Sequence, residues 1–265
     1  MRKTAFLFPG QGAQNVGMGR SFYEKYDAVR QYFKTAQEVT GIDVASLCFE
    51  ENEALNQTEY TQIAMYTTEC AILNVLQEKG IPYEAAAGLS LGEYAALTAA
   101  GALSFKDGCY VIRRRGIYME QAVPEGQGSM AAVLGLSAKQ TEEVLKTSLD
   151  TAKIGIANYN CPGQIVISGE KGEVERAAEV LKQAGAKRVV PLRVSGPFHS
   201  PLLNTAGEKL AEVLAPCKLS RLKIPYISNT LAEPVTDKTK IKDLLTRQIS
   251  SPVRWRESME ELIRE

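Results

Sequence analysis

The stretch "YEAAAGLSLGEYAALTAA", residues 83–100, decides the fold that we expect for this chain. Its first six residues predict a short strand ending in a turn, and its second half predicts an alanine-rich helix that packs closely on both sides. Between them, "GLSLGE", residues 88–93, fits the pattern G-x-S-x-G. In that pattern the glycines allow a sharp bend, and the serine hydroxyl emerges at the helix N-terminus. This order of elements indicates an α/β fold.

Ser90, the serine of this pattern, is either a nucleophile or a member of an ordinary tight turn. A serine nucleophile needs a base, and the only histidine of the chain is His199, in "SGPFHS", residues 195–200. Imidazole is the side chain that titrates nearest neutrality. A lone histidine is also often a surface or core residue, so each of the two residues strengthens the functional interpretation of the other.

Arg115 is the third candidate, in "VIRRRGIYM", residues 111–119. Helical spacing places it among apolar neighbours three and four positions away on either side. A buried guanidinium keeps its charge and needs an anion, which is either a structural Asp or Glu or the carboxylate of a ligand. The spacing leaves both open. Arg113 and Arg114 are predicted to lie on a solvated helix face.

The Gly-rich stretch "FPGQGAQ", residues 8–14, follows a predicted strand. A dinucleotide site would need a third glycine where Asn15 stands, and the next acids, Glu24 and Asp27, fall in a predicted helix. We therefore favour a turn whose backbone N–H groups face an oxyanion.

Further elements on either side support the α/β interpretation. Residues 4–8 predict a strand, residues 21–39 predict a helix, and Thr61 is placed to cap a helix that Gly80 ends. From residue 128 to 194 the pattern becomes β-α-β-β-α-β, which is typical of ferredoxin-like folds. We predict a large α/β-hydrolase-like domain over 1–127 and 195–265, with a small ferredoxin-like subdomain inserted at 128–194.

Composition narrows the function further. The 31 basic and 31 acidic residues cancel, so no overall field favours nucleic acid or an anionic membrane. The apolar run at the N-terminus is too short for a signal peptide, and no segment is long enough to span a membrane. The five scattered cysteines fit reduced thiols in the cytosol, and with one histidine a transition metal is not expected. We expect a cytoplasmic protein without a metal.

Together, "FPGQGAQ", "GLSLGE", the arginine twenty-five residues after the serine, and "GPFH" resemble the malonyl-CoA:acyl carrier protein transacylases of fatty acid and polyketide synthesis. The similarity covers nearly the whole chain, and the four motifs occur in the order of the family. It implies an α/β-hydrolase-like domain with a ferredoxin-like insertion and an active site in the cleft between them. It also implies that no cofactor is bound, and we expect a monomer.

Carried over residue by residue, the resemblance implies that Ser90 is the nucleophile and His199 its base. Backbone N–H groups of Gln11 and Leu91 would form the oxyanion hole, and Arg115 would bind the free carboxylate of the malonyl group.

The resemblance also implies that a backbone carbonyl orients the histidine, and Gln248 in "TRQISSPVRW" matches that position. Gln62 in "TEYTQIA" and Asn160 in "NYNCPG" resemble pocket residues, although Gln62 fits equally well in the first turn of a helix and Asn160 in a turn. Phe198 resembles the malonyl-selecting form of the motif before the histidine.

The sequence departs from the family in two places. Leu89 stands where the family usually has a histidine, which leaves His199 as the only imidazole. The family also continues beyond the position of Glu265 through a further strand, a Gly-Pro-Gly loop and a last helix.

The implied reaction is ping-pong transfer of malonyl from malonyl-CoA to the phosphopantetheine thiol of acyl carrier protein. Lys187, Arg188 and Arg193 are candidates for a basic surface that meets the acidic carrier. Two alternatives stay open at this point. A serine hydrolase would share the elbow and the base without needing Arg115, and a non-catalytic module that docks carrier protein would acquire no acyl group on Ser90.

Overall fold

The computed structural model describes residues 3–124, 126–192, 194 and 196–265. Arg193 lies outside these residues. The described residues divide into two compact units. The first unit comprises Met1–Ile117, Glu212–Ser228 and Glu233–Ile241, and the second comprises Tyr118–Ala211, Asn229–Ala232 and Lys242–Glu265.

The described strands, in chain order, are β1 (Ala5–Phe8), β2 (Ala85–Gly88), β3 (Gly128–Leu134), β4 (Ile154–Cys161), β5 (Gln164–Glu170), β6 (Arg188–Pro191), β7 (Tyr226–Ile227) and β8 (Pro234–Val235). The described helices are α1 (Arg20–Lys25), α2 (Asp27–Thr40), α3 (Val44–Phe49), α4 (Thr58–Glu78), α5 (Gly92–Ala99), α6 (Phe105–Gln121), α7 (Ala138–Ser148), α8 (Lys171–Gln183), α9 (Asn204–Leu214), α10 (Ile241–Gln248) and α11 (Trp255–Arg264).

The sheet of the first unit has the order β1-β2-β7-β8, in which β1, β2 and β7 are parallel and β8 runs antiparallel to β7. Phe8 pairs with Gly88, so β1 and β2 end at the same level. Their carboxyl ends therefore lead side by side into the two glycine-containing turns, which is the edge where ligands bind in open α/β sheets.

Two helices of the first unit differ from the prediction. The helix expected over 21–39 breaks at Tyr26, whose backbone is extended, and becomes α1 and α2. Thr61 is not a helix cap, because α4 already begins at Thr58. The Thr61 hydroxyl is instead buried and donates to the carbonyl oxygens of Leu55, at 2.6 Å, and Gln57, at 2.9 Å.

The second unit contains an antiparallel sheet in the order β4-β5-β3-β6, with α7 and α8 as its crossover helices. This order and the β-α-β-β-α-β sequence are those of a ferredoxin-like fold. Ser137 begins α7 with a reciprocal capping box to Gln140. One side of the sheet packs with the helices into a continuous apolar core that includes Val133, Ile167 and Leu181.

The predicted α/β class with a ferredoxin-like subdomain is confirmed by these two sheets and by the solved structures described below. Across the part of the chain that the structure describes, no helix is both long and apolar enough to cross a membrane. The five cysteines are free thiols, and four of them are buried.

Candidate active site

Ser90 lies at a strained bend between β2 and α5. Its φ is 55°, in the left-handed region that a non-glycine residue rarely adopts. The glycines on either side explain how the bend is reached. A Cβ on Gly88 would lie 1.9 Å from the carbonyl oxygen of Gly92, and one on Gly92 would lie 2.4 Å from that of Phe8. No side chain fits at these two positions, so the sequence can turn here only with glycine.

Arg115 lies on α6 and is fully buried, as the apolar spacing around it predicted. Its Nη2 donates to the hydroxyl oxygen of Ser90 at 3.0 Å, and its Nη1 donates to Oε1 of Gln62 at 2.7 Å. Gln62 is itself buried, in the second turn of α4 and not the first. Three candidates, from the serine bend, α4 and α6, thus meet at the guanidinium.

Two residues of α5, Tyr94 and Glu93, lie near the buried charge of Arg115. Burial lowers the pKa of Arg115, and the nearby Tyr94 and Glu93 raise it. The guanidinium carbon lies 5.5 Å from the centroid of the Tyr94 ring. Burial raises the pKa of Tyr94 and the positive charge of Arg115 opposes that rise. Glu93 and Tyr94 are both buried, and the sequence analysis did not single them out.

Arg113 is not on a solvated face, which corrects the prediction for this residue. Its side chain is about one-fifth exposed, and its Nη1 lies 2.9 Å from a carboxylate oxygen of Glu59. The guanidinium also lies over the ring of Tyr60. Arg114 is exposed as predicted. The difference arises because α4 packs against one side of α6 and supplies both contacts to Arg113.

His199 lies in the second unit, in a turn where its φ is 56° and its side chain is 4% exposed. Its Nδ1 lies 2.9 Å from the carbonyl oxygen of Gln248 and 3.2 Å from that of Ser251. Because a carbonyl only accepts, Nδ1 carries the proton and the lone pair of the neutral ring is on Nε2. Ser251 was missed by sequence reasoning, since its contribution is a main-chain atom that leaves no residue-type signal.

Gln248 is the last residue of α10, and this explains its role. The final carbonyl groups of a helix have no intrahelical partner and carry the negative end of the helix dipole. The imidazole of His199 lies at this end of α10, so hydrogen bonds to main-chain carbonyl groups hold it in place and the negative end of the dipole stabilises its positively charged form.

The other site residues predicted from the sequence lie in turns, at the start of a helix and on a strand. Gln11 is in the turn after β1, and its side-chain Nε2 donates to Thr58 at 3.0 Å. Leu91 is fully buried and immediately precedes the first residue of α5. Phe198 is buried beside His199, and Asn160 is half-buried on β4 with its side-chain oxygen shielded from solvent.

A serine on a strand-to-helix bend of an α/β sheet, hydrogen-bonded to a buried arginine, defines the class of this chain as an α/β acyl-transfer enzyme. The family model for the acyl transferase domain matches residues 5–265. A malonyl CoA-acyl carrier protein transacylase of Bacillus subtilis is 49% identical over 100% of this chain and 84% of its own length.

Solved structures agree with this match. An acyl carrier protein S-malonyltransferase from Vibrio cholerae superposes with a TM-score of 0.95 at 42% identity, over 99% of this chain and 87% of that one. A malonyl-transacylase in complex with a type II PKS acyl-carrier protein gives 0.96 at 38% identity, over 99% and 86%. The chain belongs to the acyl transferase family. The predicted acyltransferase activity is thereby confirmed.

Proposed function

We propose that this chain transfers the malonyl group of malonyl-CoA to the phosphopantetheine thiol of acyl carrier protein through a malonyl ester on Ser90. The transfer supplies extender units for fatty acid or polyketide synthesis. The observation that carries the proposal is the hydrogen bond between Arg115 and Ser90, because it places a fixed positive fork beside the nucleophile. The names of the relatives support the same reaction.

His199 acts as the general base in the first half-reaction. With its Nδ1 proton donated to two carbonyl groups, the ring has Nε2 available to accept the proton of Ser90. The C-terminal end of α10 then stabilises the imidazolium that forms, so no acidic residue is required to orient the ring.

The Ser90 oxygen attacks the thioester carbonyl of malonyl-CoA, and backbone N–H groups of Gln11 and Leu91 stabilise the oxyanion. These two residues follow the carboxyl ends of β1 and β2, which lie side by side. CoA leaves as a thiolate and takes up the proton that His199 received from Ser90. The phosphopantetheine thiol of the carrier then gives its proton to His199 and attacks the malonyl ester, and the departing oxygen of Ser90 takes that proton back from His199.

Arg115 selects the acyl group. Its bidentate pair with the malonyl carboxylate contributes about 1.5–3 kcal/mol, which corresponds to roughly tenfold to hundredfold in kcat/KM. Gln62 holds one arm of the fork and leaves its plane set for a carboxylate. Asn160 and Phe198 are assigned to the wall of the acyl pocket, and Phe198 to the preference for malonyl.

The test compares malonyl-CoA and acetyl-CoA as donors to acyl carrier protein. Arg115→Ala lowers malonyl transfer by roughly tenfold to hundredfold and leaves the slow acetyl transfer within about twofold of the parent. Arg115→Lys recovers little, because it keeps the charge without the planar fork. Arg114→Ala is the matched control, since Arg114 is the exposed neighbour on α6. Malonyl transfer by Arg115→Ala at the parent rate would contradict the proposal.

The carrier is acidic in this proposal and meets the exposed side chains of Lys187 and Arg188 at the start of β6. Reversing both charges raises the KM for acyl carrier protein and leaves the KM for malonyl-CoA unchanged. We further propose that the protein acts as a cytoplasmic monomer without a bound cofactor.

A further inference from the structure

Two neighbouring residues of α5, Tyr94 and Glu93, lie near the guanidinium of Arg115. Tyr94 presents its ring, with the guanidinium carbon 5.5 Å from the ring centroid. Glu93 lies near enough for its charge to favour the charged form of Arg115. All three residues are at most 1% exposed.

The apolar spacing around Arg115 does not decide whether the anion that meets its charge belongs to the protein or to a ligand. A buried cation needs an anion, and the structure supplies a carboxylate, Glu93, within the protein. Both terminal nitrogen atoms of Arg115 nevertheless point toward neutral oxygen atoms, on Gln62 and Ser90. The hydrogen bonds to Gln62 and Ser90 thus hold the plane of the fork beside the nucleophile, and Glu93 supplies negative charge nearby.

Glu93 and Tyr94 are also tied to the nucleophile through the backbone. The N–H of Glu93 donates to the carbonyl oxygen of Ser90 at 3.1 Å, and that of Tyr94 donates to Leu91 at 3.1 Å. The first turn of α5 thus holds the serine bend and the two partners of Arg115 as one rigid piece. A change in either partner changes where the fork lies relative to the nucleophile.

We propose that Glu93 and Tyr94 are positioning residues that set the guanidinium of Arg115 for the malonyl carboxylate, and so set the preference for malonyl over an uncharged acyl group. The inference rests on the proposed function. Glu93 supplies the balancing charge and Tyr94 supplies the apolar, electron-rich face against which the guanidinium plane is fixed. Neither residue touches the reacting carbonyl group.

The test measures kcat and KM for malonyl-CoA and for acetyl-CoA with acyl carrier protein, in the parent and in Glu93→Gln, Tyr94→Phe and Tyr94→Leu. Glu93→Gln lowers the malonyl-to-acetyl ratio of kcat/KM by about threefold to hundredfold, the range expected for coupled neighbours. Tyr94→Leu lowers it by about twofold to thirtyfold, and Tyr94→Phe, which keeps the ring, stays within about twofold of the parent.

A matched control separates positioning from packing. Tyr66 is an equally buried tyrosine that stacks on Phe105 and hydrogen-bonds Thr98. Tyr66→Leu removes similar volume, so it lowers stability without changing the malonyl-to-acetyl ratio. Glu93→Gln keeps the size of the side chain. If Tyr94→Leu fails to fold, the donor preference of Glu93→Gln therefore distinguishes positioning of Arg115 from packing.

The decisive readout is non-additivity. In an Arg115→Ala background, Glu93→Gln changes the ratio by less than about twofold if it acts through Arg115. An equal loss for malonyl and acetyl donors, or an undiminished effect of Glu93→Gln without Arg115, would assign both residues a structural role and overturn the inference alone. Failure of the parent to transfer malonyl at all would overturn the proposed function as well.

Discussion

Nη2 of Arg115, on α6, donates a hydrogen bond to the hydroxyl oxygen of Ser90 at a distance of 3.0 Å. Because a guanidinium has no acceptor, the hydroxyl proton of Ser90 is left for another group to accept. The same positive charge lowers the cost of negative charge on the serine oxygen. In the proposed mechanism, acyl-group specificity and activation of the nucleophile are thus combined in Arg115.

Gln62 fixes the second arm of this arginine, and its replacement tests that role. Gln62→Leu leaves a buried N–H of Arg115 without this acceptor, so the free energy of unfolding falls by about 1–3 kcal/mol. Malonyl transfer falls more than acetyl transfer in the same variant. Urea unfolding and paired donor assays measure the two effects, with Gln37→Leu on the exposed face of α2 as the control. An unchanged donor preference would show that Gln62 does not position Arg115.

The glycine at the start of α5 is required by the space around it. Gly92→Ala would place a Cβ 2.4 Å from the carbonyl oxygen of Phe8, so the bend and the end of β1 must move apart. We expect a large loss of stability, of about 2–5 kcal/mol, together with loss of transfer. The control is Gly172→Ala in α8, where nothing lies within 4 Å and the helix gains up to about 1 kcal/mol. Thermal unfolding of both variants decides whether the bend is sterically fixed.

We expect the buried Glu69 to make the stability of the first unit depend on pH. Both its carboxylate oxygens are shielded from solvent and have no hydrogen-bond partner among the described residues. Glu69 is one of the residues that line a largely apolar cavity of about 410 Å³ between β1 and α4. Burial raises the pKa of Glu69 well above its ordinary value.

The folded chain therefore retains a proton that the unfolded chain loses, so the free energy of unfolding falls as pH rises from the ordinary pKa of Glu toward the raised one. Glu69→Met removes this fall and adds about 1–3 kcal/mol at neutral pH. Denaturant unfolding from about pH 5 to pH 8 measures it. Glu175→Met, at an exposed site of α8, should follow the parent curve, and a parent-like curve for Glu69→Met would contradict the expectation.

The single histidine allows a direct spectroscopic test of the base. With Nδ1 donating to the carbonyl groups of Gln248 and Ser251, the neutral imidazole is the Nδ1–H tautomer. In 15N-labelled protein the one imidazole gives one pair of ring nitrogen signals, and Nδ1 should be the protonated nitrogen. A predominant Nε2–H tautomer would remove the lone pair that the mechanism uses.

Local patterns in the sequence predicted much of this structure. The strand at Ala5–Phe8, the bend at Ser90, the ferredoxin-like order and the burial of Arg115 follow from period, glycine placement and spacing, and all are confirmed. The predicted domain bounds, 1–127 with 195–265 and 128–194, stay a prediction.

Other features depend on tertiary contacts that no local pattern records. The ion pair of Arg113 exists because α4 lies against α6, and the acceptor on Ser251 is a main-chain oxygen whose side chain is immaterial. The break at Tyr26 and the early start of α4 at Thr58 lie within sequence that is compatible with helix throughout. The proximity of Glu93 to Arg115 arises only once α5 and α6 are packed together.

The central claim is that Ser90 carries the malonyl group between donor and carrier. Intact-mass spectrometry of the protein mixed with malonyl-CoA tests it most directly, followed by peptide mapping and addition of acyl carrier protein bearing phosphopantetheine. The account predicts one malonyl adduct on Ser90, none on Ser90→Ala, and transfer of the adduct to the carrier. Absence of an adduct on the parent, or its loss as free malonate with the carrier left unmodified, would contradict it.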